Sequence, residues 1–168
     1  MQKLCLANTD FKEVIPRHSS TTWILAHGRL PTRVRLNQHI PQGIMLCELC
    51  HQEEEDENHL FTECPLAKSV WLELRSWWHI PLPSTEEGNL LFPLVKLKAP
   101  KDHRLISYAV FSAGIYNIWH ARNMAIFKKQ QVPSQQLVCS IKTQIRYRIL
   151  VMNKISHKYK DYIDRSLL

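Results

Sequence analysis

Four residues within one short stretch have the types and spacing to hold a metal ion. They are Cys47 and Cys50, two residues apart in Cys-Glu-Leu-Cys, then His59 and Cys64 in His-Leu-Phe-Thr-Glu-Cys, giving C-x2-C-x8-H-x4-C. Two thiols at that spacing fit on one tight turn and grip one face of an ion. A His and a Cys five positions apart close the other face from one helical turn. Zn²⁺ takes four such ligands at tetrahedral corners, and a Cys₃His set fills all four. No position is left for water, so the chemistry expected is structural and not catalytic. Thiolate and imidazole sets also suit other soft ions, so ligand type alone points to a metal before it points to zinc. His51, directly after Cys50, is not expected to be a ligand, because its neighbour already occupies the turn. His18, His27, His39, His79, His103, His120 and His157 have no Cys or acid at ligand spacing. The four glycines are isolated, so no phosphate-cradling loop is present, and no nucleophile sits in a local catalytic signature.

Several elements must position that set. Pro41-Gln-Gly43 is a turn, and Ile44-Met-Leu46 leads into the first Cys pair as a short strand or knuckle. Gln52 to Asn58 is dominated by Glu and Asp and reads as an exposed loop. Pro65, directly after the last Cys, suits the first turn of a helix. That helix carries Ala67, Val70, Trp71, Leu74 and Trp77 or Trp78 at spacings of three or four, with Lys68, Glu73 and Arg75 opposite, and Pro81 and Pro83 stop it. Trp71, Trp77 and Trp78 are expected in the core.

Upstream, Ser19-Ser20-Thr21-Thr22 offers cap hydroxyls for a helix with Trp23, Ile24, Leu25 and Ala26 on its apolar face, ended by Gly28. Thr32 can cap a short helix through Arg33 to His39. Downstream, 101–130 contains no proline and reads as one long helix, buried in its first half and basic at its end. A last amphipathic helix starts after Pro133 and runs as one element from Leu137 to Tyr162. Its seam Ile141, Ile145, Ile149, Met152, Ile155 is expected to pack on the preceding helix as a helical hairpin, with Lys142 and Lys154 exposed. The fold expected is mainly α: a small Cys₃His knuckle flanked by helices, followed by a long hairpin.

With 168 residues, 45 % of them hydrophobic, the chain suits one domain with a packed core. Three of five cysteines belong to the ligand set, and Cys5 and Cys139 are left over. This usage fits a reducing compartment, nuclear or cytoplasmic. No signal peptide or membrane-spanning stretch is recognisable. The net charge is +7, unevenly spread. Residues 44–64 hold seven acids and no Lys or Arg, while residues from Lys101 onward hold twelve Lys/Arg and three acids. A basic body suggests an anionic partner, and nucleic acid is the commonest. Arg29, Arg33, Arg35, Lys142, Arg146, Arg148 and Lys154 are the residues expected to contact phosphates, with no small-molecule substrate and no membrane partner.

The order Trp23, Gly28-Arg-Leu-Pro-Thr-Arg33, Arg35-Leu36, Cys47-x2-Cys50, an acidic loop, His59-Leu-Phe61, Cys64-Pro65, Ala67, Val70-Trp71 resembles the zinc-binding domain at the C-terminal end of reverse transcriptases of non-LTR (LINE-type) retrotransposons, especially plant ones. Ile118-Trp119-His-Ala-Arg122-Asn123 with Phe127 is similar to a W-x-x-R-N-x-x-x-F segment that follows that domain. Val34 departs from the pattern, which commonly has an acid there. No Asp-Asp pair, which a polymerase uses to hold divalent metals, occurs in the chain. The resemblance covers roughly 23–71 and 118–127, and with the helical reading above it divides the chain into a linker over 1–18, the zinc-binding domain over 19–83, a connector over 84–100 and a basic helical hairpin over 101–168. It also implies a non-catalytic accessory domain without its polymerase. A protein-interaction module, using the acidic 53–57 loop and the helical seam, and a retroelement remnant without function are the alternatives.

Overall fold

The computed structural model describes residues 15–40, 43–80, 83, 97–152 and 155–165. The first fourteen residues of the expected linker, the Pro41–Gln42 turn, Pro81, connector residues 84–96, and Asn153 and Lys154 lie outside the described residues. Six α-helices are named here in chain order: α1 (Pro16–Ala26), α2 (Arg33–Asn37), α3 (Pro65–Trp78), α4 (Lys101–Lys128), α5 (Ser134–Val151) and α6 (His157–Arg165). A π-helical turn, His59–Glu63, runs directly into α3.

Helix α4 is the axis. Ile106, Val110, Phe111, Ala113, Ile115 and Ile118 are buried, and α1, α3 and α5 all pack on it. α3 and α5 lie side by side and run the same way. Ser69 near the start of α3 bonds Ser134 at the start of α5 (3.2 Å), and the Lys142 ammonium sits 5.7 Å from the Trp77 ring centre further along both. The three tryptophans of α3 are buried as expected. Two indole donors are satisfied inside: Trp71 Nε1 donates to the Phe61 carbonyl (2.8 Å) and Trp78 Nε1 to Ser107 Oγ (3.1 Å). Trp71 packs against Gly114 of α4, where a Cβ would come within 2.4 Å of the indole. Each fully buried side chain of this size contributes roughly 1.5–3 kcal/mol.

Two caps differ in outcome. Thr32 caps α2 as expected, its Oγ1 accepting from Arg35 N (3.4 Å). The Ser19–Thr22 hydroxyls do not cap α1. That helix starts earlier, at Pro16, whose fixed φ suits the first turn. Ser20, Thr21 and Thr22 instead donate to carbonyls four residues back (2.9–3.0 Å). The buried side of α1 is His18, Thr21, Thr22 and Leu25, which leaves Trp23 47 % exposed, its ring tilted against His27 (centroids 4.2 Å, planes at 35°). The end of α1 is as expected, with Gly28 at φ 60°.

The last helix is two helices and not one. α5 stops at Val151, Met152 turns extended (ψ 120°), and α6 begins at His157. The apolar period continues through the break because Met152, Ile155 and Ile163 are all buried. α6 folds back over α3: Tyr162 OH donates to the Trp77 carbonyl (3.3 Å), and Tyr159 and Tyr162 meet the Trp78 ring edge-on. The Asp102 carboxylate accepts Ser156 N (3.0 Å) and pins the turn. A 3.6-residue period cannot distinguish a continuous helix from one that turns and buries the next residues on another wall. Among the described residues, no helix is long and apolar enough to cross a membrane.

Candidate metal centre

The knuckle is built by backbone bonds around the first Cys pair. Glu55 N donates to the Met45 carbonyl and Cys47 N to the Glu53 carbonyl (2.7 Å each), and Leu46 and Glu54 form one antiparallel bridge. His51 N returns to the Cys47 carbonyl (2.8 Å), with His51 itself in the left-handed region (φ 57°). His51 thus closes the turn through its backbone while its side chain stays exposed, outside the ligand set.

The second pair depends on the π turn. In an α-helix, residues five apart point about 140° away from each other. Here Cys64 N donates to the His59 carbonyl (2.7 Å), an i→i+5 closure that brings the two residues into line. Asp56 Oδ1 accepts His59 N (2.6 Å) and fixes the start of the turn.

The ligand atoms of Cys47, Cys50, His59 and Cys64 all lie within 4.8 Å of one another. The imidazole enters through Nε2, 3.2 Å from Cys50 Sγ. Cys47, Cys64 and His59 are buried, and the donors are three thiols and one imidazole without a carboxylate. That set fits Zn²⁺ and closes its coordination. The polypeptide also prepares the thiolates. Cys64 is held below the usual thiol range by a hydrogen bond from Cys47 and by the amides of Ala67 and Leu66 in the first turn of α3. Cys47 is pushed up by that same sharing with Cys64 and by burial, although the amides of Leu49 and Cys50 oppose the rise. Two buried thiols sharing a proton are a poor arrangement without a cation, and a metal resolves it by displacing the proton.

A second tie sits beside the metal set, and sequence reasoning missed it. The acidic loop is not uniformly exposed: Glu53, Glu54 and Asp56 face solvent, but Glu55 is 0 % exposed. Its Oε1 accepts from Arg122 Nε (2.9 Å) and Nη2 (2.5 Å) and from Arg33 N (3.1 Å). Arg122 also donates to the Pro31 carbonyl (3.2 Å) and to Asn123 Oδ1 (3.0 Å), and its guanidinium lies 4.6 Å from the Trp119 ring centre. The W-x-x-R-N segment therefore does its work here, clamping α4 to the knuckle and to the start of α2. The signal available was Arg122 itself, a lone cation on an otherwise apolar stretch of helix.

The expected phosphate contacts are not gathered into one patch. Arg33 bonds Glu48 and the Ile44 carbonyl (3.2 Å), so it braces the knuckle. Arg29 and Arg35 are exposed around α2, whereas Lys142, Arg146 and Arg148 are half-buried along α5. Lys154 lies outside the described residues.

Residues 3–71 match the family model described as zinc-binding in reverse transcriptase. This segment, with its Cys₃His cluster, is a zinc-binding domain of the reverse-transcriptase type, and its cofactor is zinc. No curated protein and no solved structure matches the chain. The match ends at Trp71, so Arg122 and the helices that bury Trp71 lie beyond it.

Proposed function

We propose that the chain is a non-catalytic accessory module of LINE-type retrotransposon origin that binds RNA or DNA weakly through basic helical faces, with zinc holding the fold. One observation carries this reading, the segregation of charge. Residues 103–152 contain seven Lys/Arg and no Asp or Glu, while seven acids cluster in 44–64 around the metal. Phosphates are drawn to the first region and repelled by the second. Arg122 and Arg33 are bound to carboxylates of the knuckle, and the contacts proposed are Arg29 and Arg35 near α2 and Lys142, Arg146 and Arg148 on α5. The closed metal site supports a structural role for the ion. Free Cys47, Cys50, Cys64 and Cys139 support a reducing compartment, nucleus or cytoplasm.

The test is a salt titration of binding to RNA and to duplex DNA. Affinity should fall steeply with salt, and Lys142→Ala with Arg146→Ala and Arg148→Ala should flatten the slope by about one unit per lost phosphate contact. No binding at low salt, or an unchanged triple variant, sinks the reading. A protein-interaction role is the second reading. It is favoured by Tyr147, Leu150 and Val151, which stay exposed at the end of α5 although the seam beside them is buried.

A further inference from the structure

The cationic contacts leave unused a stripe on α4. Tyr116, His120, Asn123 and Phe127 recur at spacings of three and four and share one helix face. The ring of Tyr116 lies 4.7 Å from the buried His18 ring and 5.2 Å from the Arg17 guanidinium. His120 stacks on Tyr116 with centroids 5.9 Å apart and planes at 24°. His120 is exposed, and Phe127 is 77 % exposed, the most open of the large apolar side chains among the described residues. A single exposed Phe is unremarkable. Here it is in line with an imidazole whose orientation is set from behind, with a carboxamide between them. Arg17 and Lys128 stand as exposed cations at the two ends. α1 has no carboxylate, and α4 has only Asp102, in its first turn, roughly 27 Å along the axis from His120.

We propose that this stripe is a stacking platform for single-stranded nucleic acid. The inference rests on the nucleic-acid reading above and names its partner. His120 and Phe127 are seven residues apart, roughly 10 Å along the helix, close to three base spacings of about 3.4 Å. A strand laid along α4 can therefore set one base on each ring, with half-buried Asn123, whose Oδ1 is held by Arg122, lying between them and the cations facing the phosphates. Base faces are covered by their neighbours in a duplex, so only an unpaired strand offers them. A surface that reads phosphate alone makes no such distinction.

The experiment uses the zinc-loaded full chain at low salt, titrated by fluorescence anisotropy with a labelled oligo-dT of about 12 nucleotides, within the site sizes of such proteins, and with a hairpin duplex. The parent should prefer the single strand. His120→Ala with Phe127→Ala, both at exposed positions and checked for an unchanged melting curve, should lose about ten- to a hundredfold in oligo-dT affinity. Duplex affinity and the salt slope should stay as they were, because no phosphate contact is removed. Phe127→Tyr, which keeps a π face, should bind as the parent does. If the double variant binds oligo-dT as the parent does while duplex binding persists, the platform is overturned and the cationic reading stands. Equal losses for duplex and single strand also overturn the platform. A parent that binds neither nucleic acid overturns both.

Discussion

The knuckle and the helical body solve the same problem by different means. Residues 51–59 hold five acids and no apolar side chain, so burial alone cannot pay for the order of that loop. Four ligands around one point tie it down, while Leu49, Leu60 and Phe61 on either side of it reach the common core. The body does the reverse. α4 is buried on nearly all sides between residues 106 and 118, where Trp71, Phe111, Ile141 and Ile145 fill the space between helices. Glu55 and Arg122 join the two regions, one carboxylate from the metal side and one guanidinium from the apolar side. A bound ion would therefore steady more than its own loop, because the same backbone carries Glu55 to Arg122 of α4.

Removing the ion should have the largest effect and confine it to one side of that comparison. Structural sites of this type supply on the order of 10 kcal/mol of apparent folding free energy. Chelation or Cys50→Ser should release the knuckle and the π turn, with protease cleavage beginning within 44–64 while α4 and α5 keep their amide protection longest. Elemental analysis should find one zinc per parent chain. Simultaneous exchange of α4 and the knuckle on chelation would show that the body depends on the metal as well.

The clamp ranks next. Arg122→Met leaves Glu55 buried without its partner and should cost about 3–5 kcal/mol in denaturant unfolding. Glu55→Gln combined with Arg122→Met should recover part of that loss, since the uncompensated charge is gone. A double-mutant cycle with zero coupling would mean that the two regions are joined by packing alone.

The smallest effect separates the two regions by pH. Burial first, and the Arg17 charge second, lower the pKa of His18 from 6.5 to about 4. The unfolded chain therefore binds a proton that the folded chain refuses between those values. Stability from neutral His18 is complete above about pH 6.5 and is lost as pH falls towards 4, by at most about 3 kcal/mol. His18→Gln should flatten that slope relative to the parent. The acid sensitivity of the thiolates is common to both proteins and cancels in the difference. An identical pH profile for the two would place the acid response wholly in the metal site.

Much of this was legible in the chain because it is local. Ligand type and spacing identify Cys47, Cys50, His59 and Cys64, and a three-to-four period identifies α3 and α4 almost to their ends. A hydroxyl before a short basic run identifies the Thr32 cap. These signals depend on neighbours within a turn or two, where backbone geometry is fixed by covalent structure. What only the tertiary structure decided are choices among equivalent residues. Five consecutive acids look alike in sequence, yet Glu55 alone among Glu53, Glu54 and Asp56 is enclosed, by an arginine 67 positions away. Arg33 looks like a phosphate contact until Glu48 is seen beside it. The apolar seam looks continuous through Met152, although the chain turns there to cover Trp77 and Trp78. In each case local propensity is satisfied either way, and the outcome is set by which distant surface arrives to exclude water.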